Sequence, residues 1–505
     1  MRQKKRQYYE ITVIARTLKR SEEAEAIPFL RLLRSPKAAR NDSNLAKPGN
    51  LRGCRKERMV NQSEKGLTYH NIALKDNLII DADNSFWAIP GEDGEGNPTI
   101  PRKALSLYEN IRGDLDNQMN DFRFGANLTA LYIDPTDRCN ANCPYCYIPA
   151  RIRKKGRSMT ENELFFILEK AAKYFREQKR KAVIVFHAAE PLLVKDIIFK
   201  GIKKFNNDFK FGLQTNASLL EIDDVGFLRE FQVGVGISLD YYSPKINNRL
   251  RPLDGGSGNF RAAIRAIEWF NGYEGMNVIT TITKFNVTGL SGMIKFMHAK
   301  KVPCVLLNPV RLTQKNSRFL KPNEALMSRY FIKAVDKAIE LSKKSGHRII
   351  IGNFTNVILG IVAPTARRLM CDISPCGGGR CFLTITASGR MIPCGEFIGL
   401  KEFSGGNIFK SGIKEAMQSP SFKKVRERFV EKIEECKSCT LRNICGAPCP
   451  AELHSLGNMY KKAVFCEFYK KVVNHAFKLI TTGEEKYCFR KQGLNNLEYE
   501  YKLLR

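Results

Sequence analysis

A chain of 505 residues, 43% hydrophobic and 27% charged, has the makeup of a globular protein with room for two or three cored domains. No apolar run approaches the roughly eighteen residues that a membrane-spanning helix needs, and the N-terminal basic residues are followed only by the short apolar run Ile11–Ala15, so neither a membrane anchor nor a secretory signal is expected and a cytoplasmic location is. Lys and Arg outnumber Asp and Glu by 83 to 51, a formal net charge of +32 that would attract nucleic acid, anionic membrane or an acidic polypeptide without choosing among them.

Residues 1–65 carry 17 Lys and Arg against 7 Asp and Glu with few apolar runs, which is the composition of a disordered basic extension. Residues 66–127 make a small N-terminal domain. Within it Asn77–Ile80 and Ser85–Pro90 are expected as hairpin strands around a polar turn, followed by one helix near 103–113. From 128 to 348 short apolar runs alternate with stretches of helical period, the pattern of repeated βα units. Strand candidates begin near residues 128, 182, 211, 233, 278 and 304, each almost continuously apolar as a strand covered on both faces should be. Helices are expected over 160–178, where Thr160 and Glu163 form a capping-box pattern, and over 259–270, 289–301 and 322–345. Six units are fewer than the eight of a closed barrel, so the fold class is α/β, with a partial, open (β/α)6 barrel.

Residues 349–470 are rich in Cys, Gly and Pro and form a second domain that depends on metal to fold. Residues 471–505 are expected as a C-terminal tail. In a parallel sheet ligands gather at the carboxyl ends of the strands. Chemistry-bearing residues stand there in this sequence: Cys139, Cys143 and Cys146 after the first strand, His187 to Pro191 after the second, Gln214 to Asn216 after the third, and Ser238 to Asp240 at the fourth.

Fifteen cysteines without an export signal argue for metal rather than disulfides. Cys54, Cys304 and Cys488 stand alone and read as incidental thiols. Cys139-x3-Cys143-x2-Cys146 puts three thiolates on one tight loop. Such a set can hold three irons of a cubane while the fourth stays open to an outside ligand; a zinc site is the alternative on spacing alone. The later cysteines are Cys376-x4-Cys381, then Cys394, then Cys436-x2-Cys439-x5-Cys445-x3-Cys449 and Cys466. Eight thiolates suit two four-iron clusters. Cys371 is a ninth thiol beside them and reads as a buried residue. Gly377, Gly378 and Gly379 lack the Lys-Ser or Lys-Thr of a phosphate cradle and read as slack between ligands.

With Tyr145 between the second and third cysteines, the loop resembles that of the radical S-adenosylmethionine superfamily, and the resemblance runs over roughly 128–470. It implies that the open iron binds the amino and carboxylate groups of S-adenosylmethionine. Glu190, in Ala188-Ala189-Glu190-Pro191 where the family has G-G-E-P, would receive the methionine ammonium. Asn216, with Ala217 in place of the family's Gly, matches the strand-three motif, and Ser238 and Asp240 match the strand-four motif. Arg251 matches an arginine that would pair with the cofactor, and Tyr145 would rest near adenine.

The later cysteines resemble the SPASM extension of radical enzymes that modify peptides and proteins. By its interleaved pattern Cys376, Cys381, Cys394 and Cys449 would hold one auxiliary cluster, and Cys436, Cys439, Cys445 and Cys466 the other. The activity so implied is oxidoreductase-type maturation of a ribosomally made peptide or protein through hydrogen abstraction, with thioether, carbon–carbon or oxidised side-chain products. Expected cofactors are S-adenosylmethionine and four-iron, four-sulfur clusters, one binding the cofactor and two auxiliary. Expected partners are the precursor and a reductant such as flavodoxin or ferredoxin, with neither nucleic acid nor membrane.

Residues 66–120 would serve either to capture the precursor as an added strand or to cap the barrel mouth. An anaerobic sulfatase maturase is the close alternative; that group places an acidic residue directly after the third cysteine of the first auxiliary set, where this chain has Gly395 and then Glu396. Glu396 and Asp240 are the candidate bases. From another class, a zinc-dependent nucleic-acid-binding protein would use the basic tail, and would be colourless and strongly salt-dependent in its binding.

Overall fold

The computed structural model describes residues 68–71, 77–367, 369–446 and 448–490. The basic extension 1–65, Cys54 and residues 491–505 of the expected tail lie outside them. The described chain opens with a three-stranded antiparallel sheet of β1 (Thr68–Asn71), β2 (Asn77–Ile80) and β3 (Trp87–Ala88), in the order β1-β2-β3. A small hairpin of β4 (Gly91–Glu92) and β5 (Pro98–Thr99) follows. The helix Arg102–Phe124 runs eleven residues past the expected end near 113. Gly113 does not stop it, because Leu115, Met119 and Arg123 continue the buried face that Ala104 and Tyr108 begin.

The six expected strands are present as β6 (Ala130–Ile133), β7 (Ala182–Phe186), β8 (Phe209–Thr215), β9 (Gly234–Ser238), β10 (Met276–Ile282) and β11 (Cys304–Pro309). All run parallel, in sequential order. All five residues of β7 are buried, which is why its sequence shows no alternation. Helices close each unit with the expected signals. In Glu161–Glu177 both halves of the Thr160–Glu163 capping box form, and Leu164, Ile167, Leu168, Ala171 and Phe175 face the sheet. Glu324–Ser345 starts under the Asn323 side chain, which accepts from the Leu326 N–H, and ends at Gly346 with φ +68°.

The sheet is wider than six strands. β12 (Ile350–Ile351) joins β11 in parallel, and at the other edge β13 (Phe382–Ile385) pairs in parallel with β6, Leu383 opposite Leu131 and Ile385 opposite Ile133. β14 (Met391–Ile392) completes the nine-stranded order antiparallel to β13. The boundary expected at 348 therefore cuts through one sheet. The C-terminal tail expected from 471 is also corrected over its described part: Cys466–Thr481 is a helix burying Phe468, Val472, Val473, Ala476, Phe477, Leu479 and Ile480. It packs on Glu324–Ser345 and on the helix Gly352–Val362. Its apolar residues recur at helical spacing, a signal that the cysteine at its start had obscured. No helix among the described residues is long and apolar enough to cross a membrane.

Candidate active site

The loop after β6 carries Cys139, Cys143 and Cys146, each partly exposed. Two contacts fix its shape. Arg153, buried on the short helix Ala150–Lys155, donates to the carbonyls of Ala141 at 2.8 Å and Ile148 at 3.2 Å, clasping both arms of the loop. The Asn142 N–H donates to Pro252 O at 2.8 Å, tying the loop to the segment just after Arg251. Burial pushes the thiols up, Cys139 to about 12 and Cys146 to about 11. Without iron they hold their protons; binding it would release them.

At the end of β7, Glu190 is 1% exposed and accepts three protein hydrogen bonds: Thr215 Oγ1 at 2.6 Å and the Leu192 N–H at 3.2 Å on one oxygen, the Asn216 N–H at 2.8 Å on the other. Burial raises its pKa against those donors, and among the described residues it makes no ion pair. Asn216 Nδ2 also donates to Asn140 Oδ1 at 2.9 Å, so the ends of β7 and β8 and the cysteine loop form one network. Behind them Asn259, fully buried, donates to the carbonyls of Asn216 and Ser238 at 3.0 and 2.8 Å.

Asp240 is built into a network of side chains. It lies 1% exposed, with Arg251 Nε at 3.0 Å, the Thr281 N–H at 2.8 Å and the Tyr145 hydroxyl hydrogen-bonded to it. The Arg251 guanidinium also stands 5.5 Å from the Tyr145 ring centroid. Both of its carboxylate oxygens are engaged, and it does not line the cavity.

These strand ends open into a cavity of about 440 Å³. Its lining includes the loop cysteines, Tyr145, Glu190, Asn216, Ser238 and Arg251 together with Cys376, Cys381, Cys394, Cys449 and Glu396. Cys436, Cys439, Cys445 and Cys466 lie away from it. The lining thus separates the four thiols that the family resemblance assigns to one auxiliary cluster from the four it assigns to the other. Cys371, read as a buried thiol, is instead exposed, and it is the cavity that it faces. The three glycines are not slack either: a Cβ on Gly377 would meet Met370 Cβ at 2.3 Å, and Gly379 has φ +70°. They make the tight turn in which the Gly378 N–H donates to Cys376 Sγ at 3.4 Å.

Glu396 does reach the cavity; burial pushes it up to about 7, and its Oε2 has no hydrogen-bond partner. Two further lining residues had no role assigned from the sequence, although His187 stands among its strand-end residues. His187 sits with Nδ1 3.6 Å from buried Asp134 and 3.4 Å from the Tyr147 hydroxyl. Arg311 pairs with Glu452 at 3.4 Å. Position 187 was on the page as the residue after β7, but nothing local marked Asp134 as its partner.

The donor set fits iron–sulfur clusters and a small cation. Among the described residues no three His, Cys, Asp or Glu side chains are gathered as a single metal ion would need, whereas larger clusters require wider spacing. Arg380, beside Cys381, keeps Nε and Nη2 buried and unpartnered, as a site awaiting an anionic group would. Glu190 offers a fixed carboxylate that makes no ion pair among the described residues.

The family model described as the radical SAM superfamily matches residues 133–296, and the one described as an iron–sulfur cluster-binding domain, SPASM, matches 376–440. An uncharacterized protein of Archaeoglobus fulgidus is 45% identical over 403 residues, 80% of this chain and 92% of its own. A cysteine-type anaerobic sulfatase-maturating enzyme of Clostridium novyi is 23% identical over 390 residues, 72% of this chain and 99% of its own. Two solved structures share the fold. Native anSMEcpe with bound AdoMet superposes with TM-score 0.62 at 20% identity, over 70% of this chain and 99% of that one. Streptococcus suis SuiB bound to precursor peptide SuiA superposes with TM-score 0.52 at 15% identity, over 80% and 99%.

Proposed function

The chain belongs to the radical SAM superfamily and carries a SPASM iron–sulfur cluster-binding domain, and from that premise we propose that it modifies a ribosomally made peptide or protein by taking a hydrogen atom from an unactivated carbon. It is an enzyme that uses S-adenosylmethionine and a four-iron, four-sulfur cluster, with auxiliary clusters in the SPASM domain. When bound, that pair supplies a 5′-deoxyadenosyl radical by one-electron cleavage of the sulfonium.

The residues do the positioning. Cys139, Cys143 and Cys146 would hold three irons. Glu190, locked by Thr215, Leu192 and Asn216, presents its carboxylate to an ammonium. Asp240 keeps Tyr145 and Arg251 in place at the cavity edge. The cavity walls would limit water at the reacting carbon. His187, with Nδ1 turned to Asp134 and Tyr147, can take up a proton inside the same chamber.

The observation that carries this reading is one cavity lined both by the first three cysteines and by Cys376, Cys381, Cys394 and Cys449. A substrate there touches both. The sulfatase-maturase alternative gains nothing at its key position: Gly395 has no side chain, and a Cβ there would meet Tyr147 Oη at 3.4 Å and His187 Cε1 at 3.6 Å. These are ordinary contact distances, so what counts against the alternative is the glycine itself, which supplies no acidic group directly after Cys394. The peptide class draws support from relatives: anSMEcpe is seen with a Cp18Cys peptide and SuiB with SuiA. A flavodoxin or ferredoxin would supply the electron.

The test is anaerobic turnover with S-adenosylmethionine, dithionite and short peptides encoded beside the gene, deuterated at successive side chains. Deuterium appearing in 5′-deoxyadenosine, with a matching mass change in the peptide, supports the proposal. Conversion of a sulfatase peptide to its formylglycine form would favour the alternative.

A further inference from the structure

The loop of Cys139, Cys143 and Cys146 is shared between the cavity, which its cysteines line, and the short helix Ala150–Lys155, none of whose residues line it. Backbone contacts join loop and helix. The Cys139 N–H donates to Arg153 O at 3.4 Å, the Asp137 N–H donates to Arg157 O at 2.9 Å, and the buried Arg153 side chain clasps the carbonyls of Ala141 and Ile148. Residues 137–139 thus run alongside 153–157 in the opposite direction.

This junction is strongly basic. Residues 137–157 hold six Lys and Arg against one acid, Asp137. Arg153 is used in the clasp, and Arg157 is paired with Glu163. The other four, Arg138, Arg151, Lys154 and Lys155, are exposed, and none makes an ion pair among the described residues. Two acids lie close by. Asp137 is half-buried against Gly156, where a Cβ would stand 2.2 Å from its own Cβ. Asp254 is exposed and accepts from Asn142 Nδ2 at 2.5 Å. The cations remain in excess.

Such a face lies outside the cavity, yet one backbone contact from a cysteine of the loop. A peptide to be modified must enter the cavity. An electron need not: it requires only that its donor come close. We propose that Arg138, Arg151, Lys154 and Lys155 form the docking face of an acidic one-electron carrier protein that reduces the cluster held by Cys139, Cys143 and Cys146. This rests on the reading of that loop as a cluster site. The carrier, a reduced flavodoxin or ferredoxin, loses one electron and the oxidised cluster gains it, with no bond made or broken. Attraction between unlike charged faces raises the encounter rate and is screened by salt. Because the face and the cavity are separate, carrier and substrate can be bound together.

The experiment compares 5′-deoxyadenosine formation by the full chain, reconstituted with iron and sulfide, under dithionite, under reduced flavodoxin and under reduced ferredoxin. Dithionite needs no docking face. The triple variant Arg151→Glu, Lys154→Glu, Lys155→Glu, which keeps Arg153, is expected to lower the carrier-driven kcat/KM about tenfold or more at low salt and to leave the dithionite-driven rate unchanged. Added salt should slow the carrier-driven reaction of the parent and hardly affect that of the variant. A second measurement needs neither turnover nor a variant: carbodiimide coupling of oxidised flavodoxin or ferredoxin to the parent, which joins carrier carboxylates to lysine amines with loss of water. Peptide mass spectrometry should find the amide links at Lys154 or Lys155. Equal carrier-driven rates in parent and variant, coupling that is absent or confined to other lysines, or a parent that dithionite reduces and neither carrier does, overturns the docking face. So does a variant whose carrier-driven rate is unchanged while its precursor binding is weakened, which would give the face to an acidic peptide. Should the variant fail to load iron, the coupling map decides. A parent chain that carries no iron, or that cleaves no S-adenosylmethionine even with dithionite, would overturn the cluster reading itself, an outcome distinct from a loaded enzyme that ignores its carrier.

Discussion

At the barrel mouth nearly every polar group is held by another part of the protein, whereas around the later cysteines several wait for something else. Glu190 has three donors, Asn259 bridges two strand ends, and Asp240 has Arg251, Tyr145 and Thr281. Among the later cysteines, Arg380 keeps two buried nitrogens unpartnered and Glu396 one oxygen. The secondary structure differs in the same sense: β7 to β10 are five to seven residues long, while β14 has two and many of the turns between ligands are single 3-10 turns. The difference teaches where each half gets its shape. A covered parallel sheet fixes strand ends by backbone pairing and apolar burial; a short-element, cysteine-rich region must take its last interactions from metal.

The largest expected effect separates the halves by chemistry. Cys143→Ala should abolish 5′-deoxyadenosine formation while about eight of about twelve irons remain bound, as two intact auxiliary cubanes require; chromatography and iron analysis read both. Next, stripping iron with a chelator should collapse amide-exchange protection through 376–450 and leave β7 to β10 protected. Equal loss in both would mean that the barrel too is organised by metal. Leu383→Ala probes the seam: Leu383 is fully buried in β13 opposite Leu131, and its loss should cost about 3 kcal/mol in denaturant unfolding. Glu190→Gln should weaken S-adenosylmethionine binding roughly ten- to a hundredfold in equilibrium dialysis, the worth of a charged hydrogen bond. Smallest, Tyr145→Phe removes one hydroxyl from the Asp240 brace and should cost about 1 kcal/mol, roughly fivefold in the same binding.

How far the sequence could be read follows the same divide. The six strands and the capped helices were legible because apolar runs, a capping box and strand-end motifs are local signals. Glu190, Asn216, Ser238 and Arg251 were placed in the cavity by motif and sheet logic together. Asp240 was placed at the right strand end, but its contacts were not legible, since its partner Arg251 lies eleven residues on and its orientation depends on Asn247, which accepts its N–H at 2.9 Å. β13 was missed: Phe382–Ile385 is a strand by composition, yet it stands between Cys381 and Cys394, where spacing had been read only as ligand geometry. His187 needed Asp134, and Arg380 needed the end of a helix more than two hundred residues earlier in the chain. Such pairings exist only in the folded molecule.

Oxygen-free protein carrying Cys436→Ser, Cys439→Ser, Cys376→Ser and Cys381→Ser isolates the loop of Cys139, Cys143 and Cys146 for the decisive measurement: the paramagnetic resonance spectrum of its reduced form, recorded before and after S-adenosylmethionine is added. The account predicts a single four-iron signal that the addition shifts, because one iron has an open coordination site beside Glu190. A spectrum indifferent to the compound, or a loop that holds zinc and no iron, would contradict it.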